Sequence, residues 1–324
     1  MITPFLSIIL PVYNVAPYLM RCINSLLALN IPHEEVEIIF VDDCSPDDSV
    51  YIIEKIMQNY SHFCLIRHKA NKRAGGARNT GLRAAKGTYV FFCDPDDEIL
   101  PLGMEAAVSH VKNSNKRLDV AMFDSIQPGG DMMYTSNRND IMDAQDFLKK
   151  NNVTWSPCIS LYRKEYLTDN NIYFAENVLF EDIDWVLRAQ SYAQTIQYQP
   201  IAIYKYYTND ISQSNTRPNV IKVTCWLEMA LRINKLAEEQ KNEIGKILRA
   251  HSQLALKRGF YSLCFLSYVD RQIVVQNIKT IETGVFPKGG VKCLMSYPII
   301  NRLISLIHPL FLIYDLIRNR KSYQ

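Results

Sequence analysis

The sequence predicts an α/β fold in which a mostly parallel central sheet is followed by a helical C-terminal region. Over the first 125 residues, short apolar segments rich in β-branched residues alternate with amphipathic segments, which is the pattern of strands and crossover helices. From about residue 218 onward, apolar residues recur at helical spacing instead. A chain of 324 residues suffices for one large α/β domain with an appendage.

Five strands are expected in the first part of the chain. Residues 6–12 form an unbroken β-rich run, as expected of a parallel strand buried on both faces. The other four strand-like segments are residues 36–41, 63–66, 88–93 and 118–123. Ligands of such sheets bind beyond the carboxyl ends of the strands, so the residues that follow these segments are candidates for a site.

Helices are expected between the strands. Two of them follow Pro17 and Pro46, because proline is favoured in the first helical turn. Two more are expected at residues 76–85 and 102–111. Residues 127–152 show neither the periodicity of a helix nor that of a strand and therefore predict an irregular segment. Residues 153–216 predict shorter strands with one helix.

Eleven of the 33 acidic side chains are concentrated in three short windows, at residues 42–48, 94–98 and 181–184. Surface solubility does not require such clustering, whereas a metal site or acid–base chemistry does. Three carboxylates at a buried strand end repel one another unless a cation is present. Since divalent cations prefer oxygen ligands, the run Asp94-Pro95-Asp96-Asp97 predicts a metal site, with a solvated helix-capping turn as the alternative.

Several classes of protein are disfavoured by the sequence. The turn after the first strand, residues 11–17, contains no glycine, and no phosphate-binding GxxxxGK[ST] loop occurs, so both common glycine-loop nucleotide folds are excluded. The net charge of +3 does not indicate nucleic-acid binding. The eight cysteines have no zinc-binding spacing and, with no recognisable signal peptide, predict a reduced, cytoplasmic protein.

Five segments together resemble the family 2 glycosyltransferases, a large group of inverting enzymes with the GT-A nucleotide-sugar-binding fold. The segments occur in the family's order and span roughly residues 5 to 215. They are residues 7–14 (SIILPVYN), 37–45 (EIIFVDDCS), 75–82 (GGARNTGL), 87–97 (GTYVFFCDPDD) and 180–185 (FEDIDW). Each is a weak signal alone, but five in register are hard to obtain by chance.

The resemblance implies a binding site for a nucleotide-diphosphate sugar, with UDP as the family's commonest nucleotide. The residues that match the family's donor-binding positions are Pro11, Tyr13, Asn14, Asp43, Gly76, Arg78, Asp94 and Glu181. Asp43 would accept a hydrogen bond from the nucleobase. Arg78, expected in the first turn of a helix, would approach the base or the diphosphate, since helix N-termini and arginine both favour anions.

The resemblance also implies the metal and the catalytic base. Asp94 and Asp96 correspond to the family's DxD motif, and Asp96 and Asp97 would bind Mn²⁺ or Mg²⁺. Asp182 matches the catalytic base, which takes a proton from the acceptor hydroxyl as that oxygen attacks the anomeric carbon. The metal would neutralise the charge on the departing diphosphate. Capping of a helix is a second expected role for Glu181 and Asp182.

The acceptor side is less specific. No Arg-Trp pair and no uninterrupted apolar stretch of 18 residues occurs, which disfavours a processive, membrane-spanning synthase and favours transfer of a single sugar. A glycan or polyprenyl-linked acceptor is expected. Residues 291–324 are apolar with five basic side chains and one acidic one, so they are expected to contact the inner leaflet of the cell membrane. Packing on the core or on a second copy in a homo-oligomer is the alternative.

The expected organisation is a catalytic domain over residues 1–217 and a helical region over residues 218–324. Within the catalytic domain, residues 1–125 form the nucleotide-binding half and residues 126–217 the acceptor half. The expected role is in surface polysaccharide synthesis. Two other functions stay open: an assembly subunit that binds a nucleotide sugar without transferring it, and a sugar nucleotidyltransferase. The second usually needs a glycine-rich loop after its first strand, which is absent here.

Overall fold

The computed structural model of this chain describes residues 3–127, 129–133, 140–150, 155–208, 217–240 and 242–279. The chain divides into two compact units. The first comprises Met1–Asn215 with Gln240–Ile247, and the second comprises Thr216–Glu239 with Leu248–Gln324. The tail for which membrane or subunit contact is expected, residues 291–324, lies outside the described residues.

A mixed sheet forms the centre of the first unit. Its strands in the described part of the chain are β1 (Leu6–Val12), β2 (Val36–Asp42), β3 (Phe63–Arg67), β4 (Tyr89–Phe92), β5 (Glu98–Ile99), β6 (Val120–Ile126), β7 (Met132–Met133), β8 (Ser160–Arg163) and β9 (Ile196–Lys205). They are ordered β3-β2-β1-β4-β8-β6-β9-β5, and β7 pairs with β6. The first four are mutually parallel, as predicted, whereas β8 runs antiparallel to both β4 and β6.

The central strand β1 is buried along its whole length because helices cover both of its faces. On one face, α1 (Ala16–Leu27) buries Leu19, Ile23 and Leu26 in the same apolar cluster as Leu10. On the other face, α3 (Arg73–Ala84) comes so close that a Cβ added at Gly81 would lie 2.3 Å from the Ile9 side chain. This double cover explains why the strand is apolar at every position but one.

The remaining helices of the described chain are α2 (Ser49–Met57), α4 (Pro101–Lys112), α5 (Ala144–Lys150), α6 (Lys164–Asp169), α7 (Glu181–Ser191), α8 (Val220–Gln240), α9 (Glu243–Leu263) and α10 (Tyr268–Lys279). Helix α3 begins three residues earlier than predicted, so Arg78 lies in its second turn and the prediction of the first turn was wrong. Gly75 lies within the helix despite its low helix propensity. A larger residue would not fit there, because the carbonyl oxygen of Ala175 would lie 2.3 Å from its Cβ.

The prediction of an irregular segment over residues 127–152 was also wrong in part, because α5 lies within it. Phe147 and Leu148 of this helix are buried, so tertiary packing stabilises a helix whose seven residues are too few to show periodicity. Residues 155–208, the described part of the segment for which one helix was expected, contain two, α6 and α7.

The second unit is helical, as predicted for this region. Its apolar cluster joins residues from α8, α9, α10 and the α9–α10 turn: Val223, Leu227, Leu263, Leu266 and Val274. The Ser252 hydroxyl donates to the carbonyl oxygen of Ala230 at 2.8 Å and ties α9 to α8. None of the helices that the structure describes is both long and apolar enough to cross a membrane.

Candidate active site

A cavity of about 590 Å³ opens at the carboxyl ends of β1, β2 and β4. The predicted site residues that line this first cavity are Pro11, Tyr13, Asn14, Asp43, Arg78, Asp94, Asp96 and Glu181. A second cavity, of about 380 Å³, adjoins it, because Arg78 and Asp94 line both. Asp97 and Asp182 line the second cavity. Gly76 lines neither cavity, and a Cβ added there would lie 2.4 Å from the side chain of Lys72.

The loop after β1 forms one wall of the first cavity. Asn14 has a φ of 55°, a left-handed conformation that asparagine tolerates better than most residues. Its backbone N–H donates to the Ser45 hydroxyl at 3.3 Å, and that of Ala16 donates to Asp47 Oδ2 at 2.8 Å. Asp47 thereby fixes the start of the neighbouring helix α1. The loop leaves Tyr13 half exposed beside the cavity.

Asp43 lies buried just beyond β2 and has one carboxylate oxygen without a protein partner. Its Oδ1 accepts a hydrogen bond from the backbone N–H of Lys72 at 2.8 Å and lies 2.7 Å from His68 Nδ1. The other nitrogen of His68 lies 2.8 Å from the Thr80 hydroxyl. Asp43 Oδ2 is buried, with no hydrogen-bond partner in the described part of the chain. An unpaired buried oxygen is costly, so this arrangement favours a ligand that donates to it.

Arg78 is held between two carboxylates. Its Nη1 donates to Glu181 Oε1 and its Nη2 to Asp94 Oδ1, each at 2.7 Å, and its side chain is only 6% exposed. Burial alone lowers the pKa of the Arg78 guanidinium, but Asp94 and Glu181 outweigh that effect and raise the pKa overall. The guanidinium therefore stays charged and is neutralised by the protein itself.

The turn after β4 carries three acids in different surroundings. Asp94 and Asp96 are half-buried, whereas Asp97 is buried and accepts hydrogen bonds from the Tyr204 hydroxyl at 2.5 Å and the Tyr207 backbone N–H at 2.8 Å. The Tyr204 hydroxyl in turn accepts a bond from the backbone N–H of Asp94 at 3.2 Å. Burial, reinforced by Asp94, raises the pKa of Asp97 to about 8. Tyr204 thus joins both ends of the turn.

The donor set of this turn fits a divalent cation. Asp94 and Asp96 offer carboxylate oxygens at the first cavity, which are ligands that Mg²⁺ and Mn²⁺ prefer. The residues that the structure describes contain no group of three or more His, Cys, Asp or Glu side chains that could hold a metal by themselves. A cation here would take its other ligands from water and substrate phosphates, as Mg²⁺ usually does. Asp97, bonded to Tyr204 and Tyr207, remains a metal ligand only by prediction.

Asp182 lies in the first turn of α7 and lines the second cavity. The residue before this helix, Phe180, has a φ of 61° and a ψ of 32°, a left-handed conformation that is strained for an aromatic residue. Burial, reinforced by Glu181 and opposed by Arg78, raises the pKa of Asp182 to about 7. A carboxyl group that titrates near neutral pH suits a general base.

The prediction that Glu181 and Asp182 cap α7 through their side chains was wrong. The N-cap position is Phe180, which makes no side-chain hydrogen bond to the helix. Asp182 Oδ1 accepts instead from the backbone N–H of the next residue, Ile183, at 3.0 Å. The side chain of Glu181 binds Arg78 and does not bind the helix backbone. Both acids still complement the helix dipole, because they lie in its first turn.

Some residues that hold the site together were missed in the sequence. Asn79 binds the backbone of Phe174 in both directions, at 2.8 and 2.9 Å, and so ties α3 to the segment before α7. Arg21 donates to the carbonyl oxygen of Asp96 and lies 3.7 Å from the centre of the Tyr207 ring. Asn79 belongs to the motif GGARNTGL, so the motif could have identified it as a site residue. Arg21 belongs to no motif, and only the fold brings it to the turn.

The model of the family described as Glycosyl transferase family 2 matches residues 7–170, which is half of the chain. This chain belongs to that family and is a glycosyltransferase. It is 29% identical over 259 residues to the uncharacterized glycosyltransferase YibD of Escherichia coli, covering 75% of this chain and 73% of YibD. It is 27% identical over 263 residues to the poly(ribitol-phosphate) β-N-acetylglucosaminyltransferase TarS of Staphylococcus aureus, covering 78% of this chain and 45% of TarS.

Solved structures share the fold. A crystal structure of residues 1–349 of S. aureus TarS with UDP-GlcNAc matches 82% of this chain and 74% of that chain, with a TM-score of 0.62 and 24% identity. A mannosyltransferase of Pyrobaculum calidifontis with GDP-Man and Mn²⁺ matches 94% and 86%, with a TM-score of 0.57 and 14% identity. These matches confirm the predicted GT-A fold, and the family match confirms the predicted glycosyltransferase class.

Proposed function

We propose that this glycosyltransferase moves a single sugar, with inversion, from a nucleotide-diphosphate sugar to a glycan or lipid-linked oligosaccharide in surface polysaccharide synthesis. The observation that carries the proposal is the junction of two cavities at Arg78 and Asp94, with Asp182 lining one of them. The first cavity would hold the donor and the second the acceptor, so the reacting atoms would meet at the shared wall.

A UDP-sugar is the proposed donor. The free Oδ2 of Asp43 supports a hydrogen bond from a base N–H, and the half-exposed ring of Tyr13 offers an apolar face to the base. Pro11 and Asn14 line the same wall. TarS, which has a similar fold, has been crystallised with UDP-GlcNAc and with UDP, and this favours uridine over the other bases.

Mn²⁺ or Mg²⁺ is the proposed cofactor, held by Asp96 and Asp97 with Asp94 beside them. The position of Asp94 and Asp96 at the first cavity supports this assignment for the DxD motif. The cation, when bound, supplies positive charge that stabilises the departing diphosphate. Tyr204 would keep the turn in the shape that binding needs, since it bonds to Asp94 and Asp97 together.

Asp182 is the proposed catalytic base. It would take the proton of the acceptor hydroxyl while that oxygen forms a bond to the anomeric carbon. The bond from the anomeric carbon to the diphosphate breaks at the same time, and its electron pair leaves with the phosphate oxygen. A single displacement from the face opposite the leaving group inverts the anomeric configuration. The raised pKa of Asp182 supports this role, because a general base is most effective when its pKa lies near the working pH.

The acceptor and the location rest on other observations. Relatives include a poly(ribitol-phosphate) β-glucosyltransferase of Bacillus spizizenii and a chondroitin synthase of E. coli, whose names support a polymeric acceptor here. We propose that the enzyme works at the inner face of the cell membrane and that residues 291–324 contact anionic lipid there. The domain boundary at residue 217 remains a proposal as well.

Calorimetric titration of the full chain with UDP, GDP and CDP, each with Mn²⁺ and then with EDTA, tests this proposal. We expect UDP to bind most tightly and EDTA to weaken its binding. Equal affinity with and without EDTA would contradict the metal assignment. Failure of all three nucleotides to bind would contradict the donor site and favour a protein that assembles with others without transferring sugar.

A further inference from the structure

Two arginines line the first cavity, and only one of them is paired with carboxylates in the part of the chain that the structure describes. Arg78 lines the cavity but is already paired with Asp94 and Glu181. Arg73 lines the same cavity, is half-buried, and its guanidinium has no hydrogen bond or ion pair with any residue in the described ranges. A diphosphate would bring further negative charge to a wall that already carries Asp96. A cation that no carboxylate occupies is what such a ligand requires.

The backbone at Arg73 is strained and is held in place by its neighbours. Its φ is 61°, a left-handed conformation that glycine adopts without steric cost and arginine does not. The side-chain oxygen of Asn71 accepts from the Arg73 N–H at 3.1 Å, and the Asn71 amide donates to the carbonyl oxygen of Asp43 at 2.9 Å. The preceding residue, Lys72, is bonded to Asp43 and Asn177. Strain that the surroundings enforce is typical of functional positions.

We infer that Arg73 binds the diphosphate of the donor, and that Arg78 acts by positioning Asp94 and Glu181. This inference rests on the proposed function. Arg73 is the first residue of α3, so its guanidinium and the positive end of the helix dipole would act on the same phosphates. Guanidinium groups bind phosphate through paired N–H···O bonds, and Arg78 already directs both of its Nη groups, and its charge, at two carboxylates.

Replacement of Arg73 by glycine separates the effect of the side-chain charge from that of the left-handed backbone. In Arg73→Gly the cation is lost but the left-handed backbone is relieved. We expect affinity for UDP to fall at least tenfold, which corresponds to one charge-assisted hydrogen bond. Binding of uridine, followed by ligand-observed NMR, should not change, and the melting temperature should not fall. Arg73→Lys keeps the charge and should retain part of the affinity for UDP.

Two control variants isolate the cause. Asn171→Gly relieves another left-handed residue, with a φ of 52°, that lines neither cavity. Arg83→Ala removes an exposed cation from the other end of α3. Both should bind UDP like the wild type. If the wild type binds UDP and Arg73→Gly binds it equally well, the inference is overturned while the proposed function stands.

Two further outcomes are decisive. Equal weakening of uridine and UDP binding in Arg73→Gly would overturn the inference, because the loss would then come from the shape of the wall and not from the phosphates. Absence of binding of UDP, GDP and CDP to the wild type would instead remove the proposed function on which the inference depends.

Discussion

Asp182 meets two requirements of a proton acceptor at once. It lines a cavity that a substrate could enter, and its carboxyl group titrates near neutral pH because burial disfavours the charged form. Arg78 limits that rise, since its positive charge favours the carboxylate. The balance between burial and Arg78 therefore sets how readily Asp182 accepts a proton.

Replacement of Asp182 by asparagine should remove proton transfer and preserve the shape of the site. We expect the rate of sugar transfer to fall by about 10²- to 10⁴-fold, the usual contribution of a positioned base. Affinity for UDP should not change, because Asp182 lines the second cavity and not the first. The exposed Asp169→Asn is the matched control and should transfer sugar normally. Wild-type turnover in Asp182→Asn would remove Asp182 from the mechanism.

The pKa of Asp182 predicts how rate and stability depend on pH. The base must be deprotonated, so the transfer rate should rise with pH to a plateau, with its midpoint near 7. The pKa of Asp182 in the folded chain lies above the ordinary aspartate value of 3.8, so the folded state binds this proton more tightly than the unfolded state. This side chain therefore reduces stability progressively between about pH 4 and pH 7.

It follows that Asp182→Asn should raise the melting temperature relative to the wild type more at pH 8 than at pH 5. Thermal unfolding of both proteins at the two pH values measures this difference. An equal difference in melting temperature at both pH values would show that the pKa of Asp182 is not shifted. A pH-dependent transfer rate would then have to come from another titrating group.

At the scale of elements, the turn between β4 and β5 depends on β9 for its shape. The Tyr204 hydroxyl, near the end of β9, bonds to Asp94 and Asp97, which lie at opposite ends of the turn. Tyr204→Phe keeps the buried ring but leaves Asp97 Oδ2 without this donor, at a cost of about 1–3 kcal/mol. We expect lower stability and a several-fold loss of Mn²⁺-dependent UDP affinity, measured by calorimetry.

Tyr166→Phe provides the comparison for Tyr204→Phe. The Tyr166 hydroxyl is also buried and donates to the carbonyl oxygen of Ala189 at 2.6 Å, but it lines neither cavity. Both variants should lose stability, and only Tyr204→Phe should lose UDP affinity. If both variants bind UDP like the wild type, the turn does not need Tyr204 for its shape.

The sequence predicted the long buried strands and the helices between them, but not the two-residue strands β5 and β7 or helix α5. Strand β1 was recognisable because burial on both faces makes it continuously apolar. Helix α5 was not, because seven residues carry too little periodicity and it depends on packing by Phe147. The predicted start of α3 was three residues late, because the helix includes Gly75, where close contact with Ala175 requires a glycine.

The candidate site shows the same division. Asp43, Asp94 and Asp182 were found because strand ends and motif spacing identify them. His68 and Arg21 were not, since each acts through tertiary contacts, which include Asp43 for His68 and the carbonyl oxygen of Asp96 for Arg21. Contacts between residues distant in the sequence leave no local pattern, so the supporting network of the site could be established only from the fold.

At the scale of the whole molecule, the composition of the C-terminal tail predicts binding to anionic membranes. Residues 291–324 carry five basic side chains among apolar ones. We expect the full chain to sediment with vesicles that contain phosphatidylglycerol and not with neutral vesicles, and a variant lacking residues 291–324 to lose this binding. Loss of self-association without any change in vesicle binding would favour the alternative, a tail that joins two copies.

Because Arg78 and Asp94 line both cavities, a ligand that moves either side chain from within the first cavity would reshape the second. Steady-state kinetics should therefore follow a compulsory order, with the nucleotide sugar entering before the acceptor. A dead-end acceptor analogue would then be an uncompetitive inhibitor with respect to the nucleotide sugar. Random entry of the two substrates would make the same analogue noncompetitive with respect to the nucleotide sugar. In the ordered case, an acceptor binds only to enzyme molecules that already hold the nucleotide sugar.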